Sequence, residues 1–415
     1  MQENELIPHL FRTEYSKITA VLCSLFGFEH IEIAEDIASD TFLSASEIWG
    51  LKGLPENPVA WLYTVAKNKA KNTLKHQAVF HNKIVKQLNY DAQRADNIEI
   101  DLSPRNIQDS QLQMIFAVCH PAIQAEAQIG LALRVLCGFG ISEIADAFLT
   151  GKDTINKRLL RAKERLRAEQ IKIEMPPEAE LGSRLEAVLR TLYLLFNEGY
   201  YSASYNTTLR KDLCFEAMRL TLLLIENDST NQPAVNALLS LMCFQASRFE
   251  ARTGENGETI LYNDQDISLW DQELIGRGKQ FLSHASKGTT LSKYHIEAAI
   301  ACCHTNREDS QEKWDNILQL YTHLLQLEYS PVAALNRAYA LAKARGKTQA
   351  LAEARQLQLT DHPQYHILLG ELYTGIDNQK AISHLKTALG LTRSSADKAI
   401  LSGKIAHLEA GTYRS

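Results

Sequence analysis

Glycine and proline are scarce in this chain, 20 and 10 among 415 residues. So few helix breakers leave long stretches free to coil, and Leu, Ala, Glu, Lys, Arg and Gln, all strong helix formers, fill them. No run of about 18 apolar residues occurs, so no membrane-spanning segment is expected. The first residues, MQENELIPHL, lack a basic stretch followed by an apolar one, so no secretory leader is expected. The seven cysteines are odd in number and lack C-x-x-C spacing. They do not suggest a disulfide framework, and fit reduced, mostly buried thiols in a cytoplasmic protein. Cys302, Cys303 and His304 have no second ligand pair elsewhere, and structural zinc needs four ligands at matched spacing, so neither a metal nor another cofactor is expected. A net charge of −5 excludes a uniformly basic nucleic-acid binder but leaves room for a local basic patch.

What is present is helical periodicity in three zones. The first covers residues 1–90, acidic at its start and basic at its end. A polar stretch without period, 91–105, contains Pro104 and reads as a linker. The second zone is 106–172, and a linker with two prolines, 173–182, follows it. The third, 183–415, is a series of amphipathic segments with turn signals between them. Within it, 335–357 and 368–391 align with offsets of 32 and 31 residues, Ala338 over Gly370 and Ala350 over Ala381. Helix, short turn, helix at that period resembles the tetratricopeptide pattern of about 34 residues. For 183–310 an irregular helical bundle is an equal alternative. The expected fold is therefore all-α: two small helical domains and a tetratricopeptide-like extension.

The most informative stretch is EIADAFLTGKDTINKRLLRAKERL, 143–166. A short apolar-periodic segment (Ile144, Ala145, Phe148) breaks at a turn containing Gly151, and a longer segment follows. On a helix Leu159, Ala162 and Leu166 fall within about 40° of Ile155, a single buried stripe. Thr154, Lys157, Arg158, Arg161 and Arg165 lie about 200° to 300° away on a separate cationic flank. Short helix, turn and longer basic helix is the layout of a helix-turn-helix, whose second helix enters the major groove. Eight Lys/Arg against three acids over 152–172 favour DNA contact over a plain solvated face.

Nearer the N-terminus, NPVAWLYTVAKNKAKNTLKH (57–76) reads as a helix started by Pro58. Six lysines and no acid lie in 59–90. Lys67, Lys71 and Lys75 repeat at i, i+4, i+8, with Asn68 and Asn72 beside them. Such an edge suits phosphates, and the amides suit exposed base edges. Trp61 and Tyr63 either stack on unpaired bases or belong to the core. Upstream, 30–49 is amphipathic, with Ile33, Ile37, Phe42, Ala45 and Ile48 near helical spacing. Glu32, Asp36 and Asp40 form an acidic row that fits a cationic protein partner or plain solvent. A loop, 50–58, separates the two helices.

Taken together, AEDIASDTFLSA, the P-x-A-W-L-x-x-V-A-K-N-x-x-x-N-x-x-K pattern and a helix-turn-helix ending KRLLRAKERL resemble the two domains of an extracytoplasmic-function (ECF) sigma factor over residues 6–172. Segments 192–204 and 329–346 resemble the tetratricopeptide-like extension of one ECF subgroup. The resemblance implies that the acidic helix docks on the β′ subunit of core RNA polymerase through Asp36, Asp40 and Phe42. It implies recognition and melting of the −10 element by Lys67, Asn68, Lys71, Asn72 and Lys75, with loop 52–57 holding a flipped base. The family usually carries Arg, Asp and Arg where this chain has Lys67, Asn72 and Lys75, which puts −10 specificity in doubt. Recognition of the −35 element falls to Lys152, Asp153, Asn156, Lys157, Arg158 and Arg161.

The extension carries no motif for chemistry. Ser202 and Ser204 sit in no G-x-S-x-G, and nothing places a histidine beside them, so no enzymatic activity is expected. Asn197, Glu198, Tyr200 and Tyr201 read as a helix end packing on the sigma-like domains. The expected partners are core RNA polymerase and promoter DNA, with no membrane. The extension is expected to regulate promoter engagement in cis, through a protein or small-molecule ligand. Two alternatives stay open: a stand-alone helix-turn-helix regulator whose repeat domain senses a ligand, and an enzyme with its site in the extension.

Overall fold

The computed structural model describes residues 3–84, 100–148, 150–201, 210–252, 254, 260, 262–392 and 395–410. Every regular element among them is helical, and none of these helices is long and apolar enough to cross a membrane. The chain divides into two units, Met1–Leu195 and Phe196–Ser415.

The first unit contains α1 (Glu3–Phe26), a single 3₁₀ turn at Phe28–His30, α2 (Ile31–Lys52) and α3 (Pro58–Ile84). It continues with α4 (Pro104–Val118), α5 (Ala125–Leu131) running into a π turn (Ala132–Leu136), α6 (Ile141–Ala147) and α7 (Lys152–Ala168). Helix α8 (Glu178–Tyr201) begins here and ends in the second unit. The hub is α1. Tyr15, Ile18 and Leu22, spaced i, i+3, i+7, are wholly buried and make one apolar stripe. It packs on α2 and α3 from the first sequence zone and on α4 and the π turn from the second. The two zones expected as separate domains thus share one core. Tyr15 lies against Gly138, where a Cβ would stand 3.5 Å from the ring, and Ser24 bonds Gln113 at 3.4 Å.

Of the expected linker 91–105, residues 91–99 lie outside the described part. Its end is anchored: Ile100 and Leu102 are buried, and Ser103 caps α4 by accepting from the Asn106 backbone amide, with Pro104 opening the helix. The second boundary falls at Leu195 rather than in 173–182, because the first turns of α8 dock on the helix-turn-helix half. Arg184 donates to the Phe116 carbonyl at 2.6 Å, and buried Thr191 donates to Gln128 at 2.8 Å. Gln128 in turn ties down the carbonyls of Cys119, His120 and Ile123.

The second unit continues with α9 (Lys211–Ile225), α10 (Pro233–Ala246), α11 (Gln272–Ala285) and α12 (Lys293–Cys303). Helix α10 is apolar all round and buried on almost every side, with α9, α11 and α12 packed about it. Beyond it come α13 (Gln311–Leu327), α14 (Pro331–Arg345), α15 (Lys347–Gln356), α16 (Pro363–Tyr373), α17 (Asn378–Leu391) and α18 (Ser395–Glu409), each packed on its predecessor. Ala338, Ala350 and Ala381 are buried at the crossings, as the repeat offsets anticipate. At Gly370 a Cβ would come within 2.7 Å of Leu385 Cγ, so the α16–α17 crossing admits glycine alone. Five of the seven cysteines are buried, and none is in a disulfide.

Candidate nucleic-acid interface

Where a helix-turn-helix is expected, α6 and α7 follow one another as a short helix, a turn and a longer helix. Gly151 is the N-cap of α7 in an ordinary extended conformation, so the turn does not depend on a glycine there. Ile155, Leu159, Ala162 and Leu166 form the buried stripe of α7, as their spacing requires. The opposite flank is free. Lys152, Asp153, Asn156, Lys157 and Arg161 are exposed, and half-buried Arg158 lies over the Phe148 ring at 5.6 Å. A groove of about 500 Å³ runs along this face, with Thr154, Lys157, Arg158, Arg161 and Arg165 on one wall and Ile123, Gln124 and Ala127 on the other. Concentrated positive charge beside an open groove favours a polyanion there.

On α3, Asn68, Asn72 and Lys75 are exposed, while Lys67 and Lys71 are half-buried along the same edge. The loop before α3 is exposed around Gly53 and Leu54. Asn57 closes it by accepting the Ala60 amide at 3.0 Å. Tyr63 is not offered for stacking: its hydroxyl donates to Glu14 at 2.6 Å, and burial with that bond pushes its pKa up. Trp61 is half-buried with its ring edge-on to Trp49, centroids 5.2 Å apart.

The acidic helix needs one correction. Phe42 is 4% exposed and lies in the core between Phe11 and Tyr15, centroids 5.0 and 6.5 Å away, so it does not belong to a docking face. Asp36 and Asp40 are exposed, with Lys69 3.8 Å from Asp40. The apolar members of their face are Leu43, 58% exposed, and Leu51, 87% exposed. With Asp36, Asp40 and exposed Glu47 they span an arc of about 80° on α2. The sequence carried that signal, since Leu43, Glu47 and Leu51 repeat at i, i+4, i+8. It was masked by Phe42 lying next to Leu43.

The third acid of the row behaves differently. Glu32 is salt-bridged to Arg167, and its second oxygen is 3.8 Å from Lys163 Nζ. Burial alone would raise its pKa, but the Arg167 hydrogen bond and the Lys163 charge outweigh that and hold it below the usual carboxylate range. Beside it Glu35, 7% exposed, accepts from Lys163 Nζ at 2.6 Å and from Arg134 Nε at 3.1 Å. Lys163 is itself 8% exposed. No local pattern announces this cluster, whose partners lie 99 to 135 positions apart in sequence.

In the extension, Asn197, Glu198, Tyr200 and Tyr201 form the last turn of α8. The Tyr200 ring is taken up inside the second unit, 5.7 Å from Phe196 and 6.1 Å from Phe249, with the Arg252 guanidinium 4.0 Å above it. Ser202 and Ser204 lie outside the described residues. A half-buried cationic-aromatic cluster, Arg248, Arg307 and Lys313 around Tyr262, adjoins His304.

Residues 184–286 match a family described as a family of unknown function, DUF6596. The match begins within α8 where that helix docks on the first unit. No solved structure matches the chain. The "Uncharacterized protein R00370" of Rhizobium meliloti (strain 1021) is 32% identical over 391 residues, which cover 92% of each chain. An agreement that runs through both units, and not just the 184–286 segment, means that this chain belongs to the same family as that Rhizobium protein.

Proposed function

We propose that this protein is a promoter-specificity subunit of the ECF sigma type, which binds core RNA polymerase and directs it to promoter DNA, with its helical extension acting as a regulator in cis. In this reading α7 reads the −35 element through Lys152, Asp153, Asn156, Lys157, Arg158 and Arg161, while α3 serves the −10 element through Lys67, Asn68, Lys71, Asn72 and Lys75. The observation that carries it is the pairing of an exposed cationic helix-turn-helix face with a second, acidic face on α2. A stand-alone repressor or activator needs the first and has no use for the second. Asp36, Asp40, Leu43, Glu47 and Leu51 have the composition of a protein-docking stripe, exposed leucines among carboxylates, complementary to a basic, partly apolar helical surface. DNA repels such a stripe, so its partner is a protein.

The cis-regulatory role rests on α8. It is one continuous helix, docked on the helix-turn-helix half through Arg184 and Thr191 and continuing into the second unit. The test is retention of core RNA polymerase by the full chain, followed by run-off transcription from a random promoter library. Retention lost on Leu43→Glu with Leu51→Glu, in a protein that still unfolds at the wild-type temperature, is the expected result. Failure of the wild-type chain to retain core polymerase refutes the proposal.

A further inference from the structure

The second unit holds a chain of rings with cations laid against it. Trp270, Tyr262, His304 and Trp314 follow one another with centroids 6.0, 5.3 and 6.0 Å apart. The Arg248 guanidinium lies 5.4 Å from the Tyr262 centroid and 5.9 Å from that of Trp270. Arg307 approaches the Tyr262 ring to 5.4 Å. Lys313 Nζ lies 5.9 Å from Tyr262 and 5.7 Å from Trp314, and Lys343 Nζ lies 5.5 Å from Trp314. These cations come from separate segments of the chain, so packing alone brings them together.

Opposite charge is scarce there. Among the described residues Asp309 is the carboxylate bonded into the cluster, accepting from Trp314 Nε1 and from Lys343 Nζ. Half-buried Arg248 and Lys313 have no carboxylate partner among them. Arg248 donates to the Tyr200 hydroxyl at 3.3 Å, and Lys313 to the Asn306 carbonyl at 2.5 Å. Burial, with the Arg307 and Lys343 charges, pushes the Lys313 pKa down in spite of Asp309. Two polar atoms at the cluster, Trp270 Nε1 and His304 Nδ1, are buried without a hydrogen-bond partner, and Trp270 as a whole is 3% exposed. Ring faces offset only part of the cost of taking cations out of water. Half-buried cations short of counter-charge, beside an unpaired indole N–H, are what a bound anion satisfies.

We propose that the cluster around Tyr262 is a binding site for a phosphate group, free or carried as a monoester by a small molecule, with Arg248 and Lys313 as its ligands. A phosphate monoester carries more than one negative charge near neutral pH and offers three strong acceptor oxygens, which suits several cations gathered at one place. A guanidinium pairs with two of those oxygens at once, and an ammonium meets the charge as a point. Arg307 positions the site and adds charge: its Nη1 donates to the carbonyls of Tyr262 and Gln265 at 2.9 and 3.1 Å. The ligand is small and not a nucleic-acid strand, because bases stack on open rings, whereas Trp270 and Trp314 are 3% and 7% exposed. All of these residues belong to the second unit, so the site stands whether or not the first unit serves a polymerase.

The experiment is isothermal titration of the full chain with inorganic phosphate and, separately, with phenyl phosphate, at an ionic strength held constant with chloride. The expected result is saturable binding with a Kd of about 1 mM or tighter. Arg248→Gln and Lys313→Gln each weaken it about tenfold, the loss of one charge-assisted contact. Asp309→Asn keeps an acceptor for Trp314 Nε1 but removes the opposing charge, so it tightens binding about threefold, a gain that a misfolded variant does not produce. Lys386→Gln, on the exposed surface of α17, leaves binding unchanged. Tighter binding of phenyl phosphate than of phosphate supports the site and identifies a monoester as its ligand; equal binding supports it with free phosphate. Wild-type chain that shows no saturable binding of either probe overturns the proposal. So does binding that survives both Arg248→Gln and Lys313→Gln in chains that unfold at the wild-type temperature. An oligothymidylate that binds more tightly than either probe and is weakened by Lys313→Gln overturns the small-ligand assignment.

Discussion

Neutralising the outer face of α7 should weaken DNA binding in a way that salt makes measurable. Lys152, Lys157 and Arg161 are exposed and form no ion pair among the described residues, so each is available to a phosphate. Every phosphate neutralised contributes about −0.9 to the slope of log Kobs against log salt concentration on duplex DNA. Replacing all three by Gln should therefore flatten that slope by about 2.7. Between 50 and 200 mM salt this difference amounts to roughly a 40-fold change in relative affinity. Stability should move by less than about 0.5 kcal/mol, because none of the three contributes to the core. The assay is fluorescence anisotropy of a labelled random-sequence duplex, titrated with wild-type and triple-variant chains across that salt range. Arg165 is excluded from the set because it is paired with Glu169 at 2.7 Å. A triple variant with an unchanged slope and an unchanged unfolding midpoint would show that DNA does not lie on this face, and the major-groove assignment of α7 would fail.

Other substitutions separate core from surface. Phe42→Ala removes a ring enclosed by Phe11 and Tyr15 and should cost about 3–5 kcal/mol in a denaturant titration, whereas Leu43→Ala, one position on, should leave stability unchanged and reduce retention of core polymerase. Gly370→Val drives its side chain into Leu385 and should destabilise the second unit by about 1–3 kcal/mol, while Gly276→Ala in α11, where a Cβ meets nothing within 4 Å, should be neutral or stabilising by up to about 1 kcal/mol. Burial, with the Arg248 and Lys313 charges, pushes His304 down to about 4 from its ordinary 6.5. The unfolded chain therefore binds the proton that the folded chain refuses, so stability is fully present above pH 6.5 and is lost as pH falls toward 4. The loss should reach at most about 3 kcal/mol, and His304→Phe should remove that part of the acid sensitivity when unfolding midpoints at pH 7 and 4.5 are compared.

Where the periodic reading worked, it worked through local physics. The stripe Ile155, Leu159, Ala162 and Leu166 follows from 3.6 residues per turn, and any partner that covers α7 must cover that side. The repeat offsets likewise placed Ala338, Ala350, Gly370 and Ala381 at helix crossings, because only small residues let two backbones come close. On α2 the same rule was less secure. Ile48, assigned to the apolar side by spacing, is 38% exposed, while Glu35 and Thr41 are inside. A helix packed on several neighbours buries a broad arc, and spacing alone does not set its edges.

By itself the sequence determined an all-helical chain, the apolar stripe of α7 with its cationic flank and the small residues buried near the C-terminus, since all of these depend on residues within a few turns of one another. The tertiary structure decided the rest. It fused two apparent domains into one core around α1, carried α8 across the boundary between the units, turned Phe42 inward and Leu43 outward, and buried Lys163 against Glu35 from 128 positions away. Such outcomes depend on which surfaces meet. A charged side chain looks the same in sequence whether it faces water or a distant counter-ion, and only packing tells the two apart.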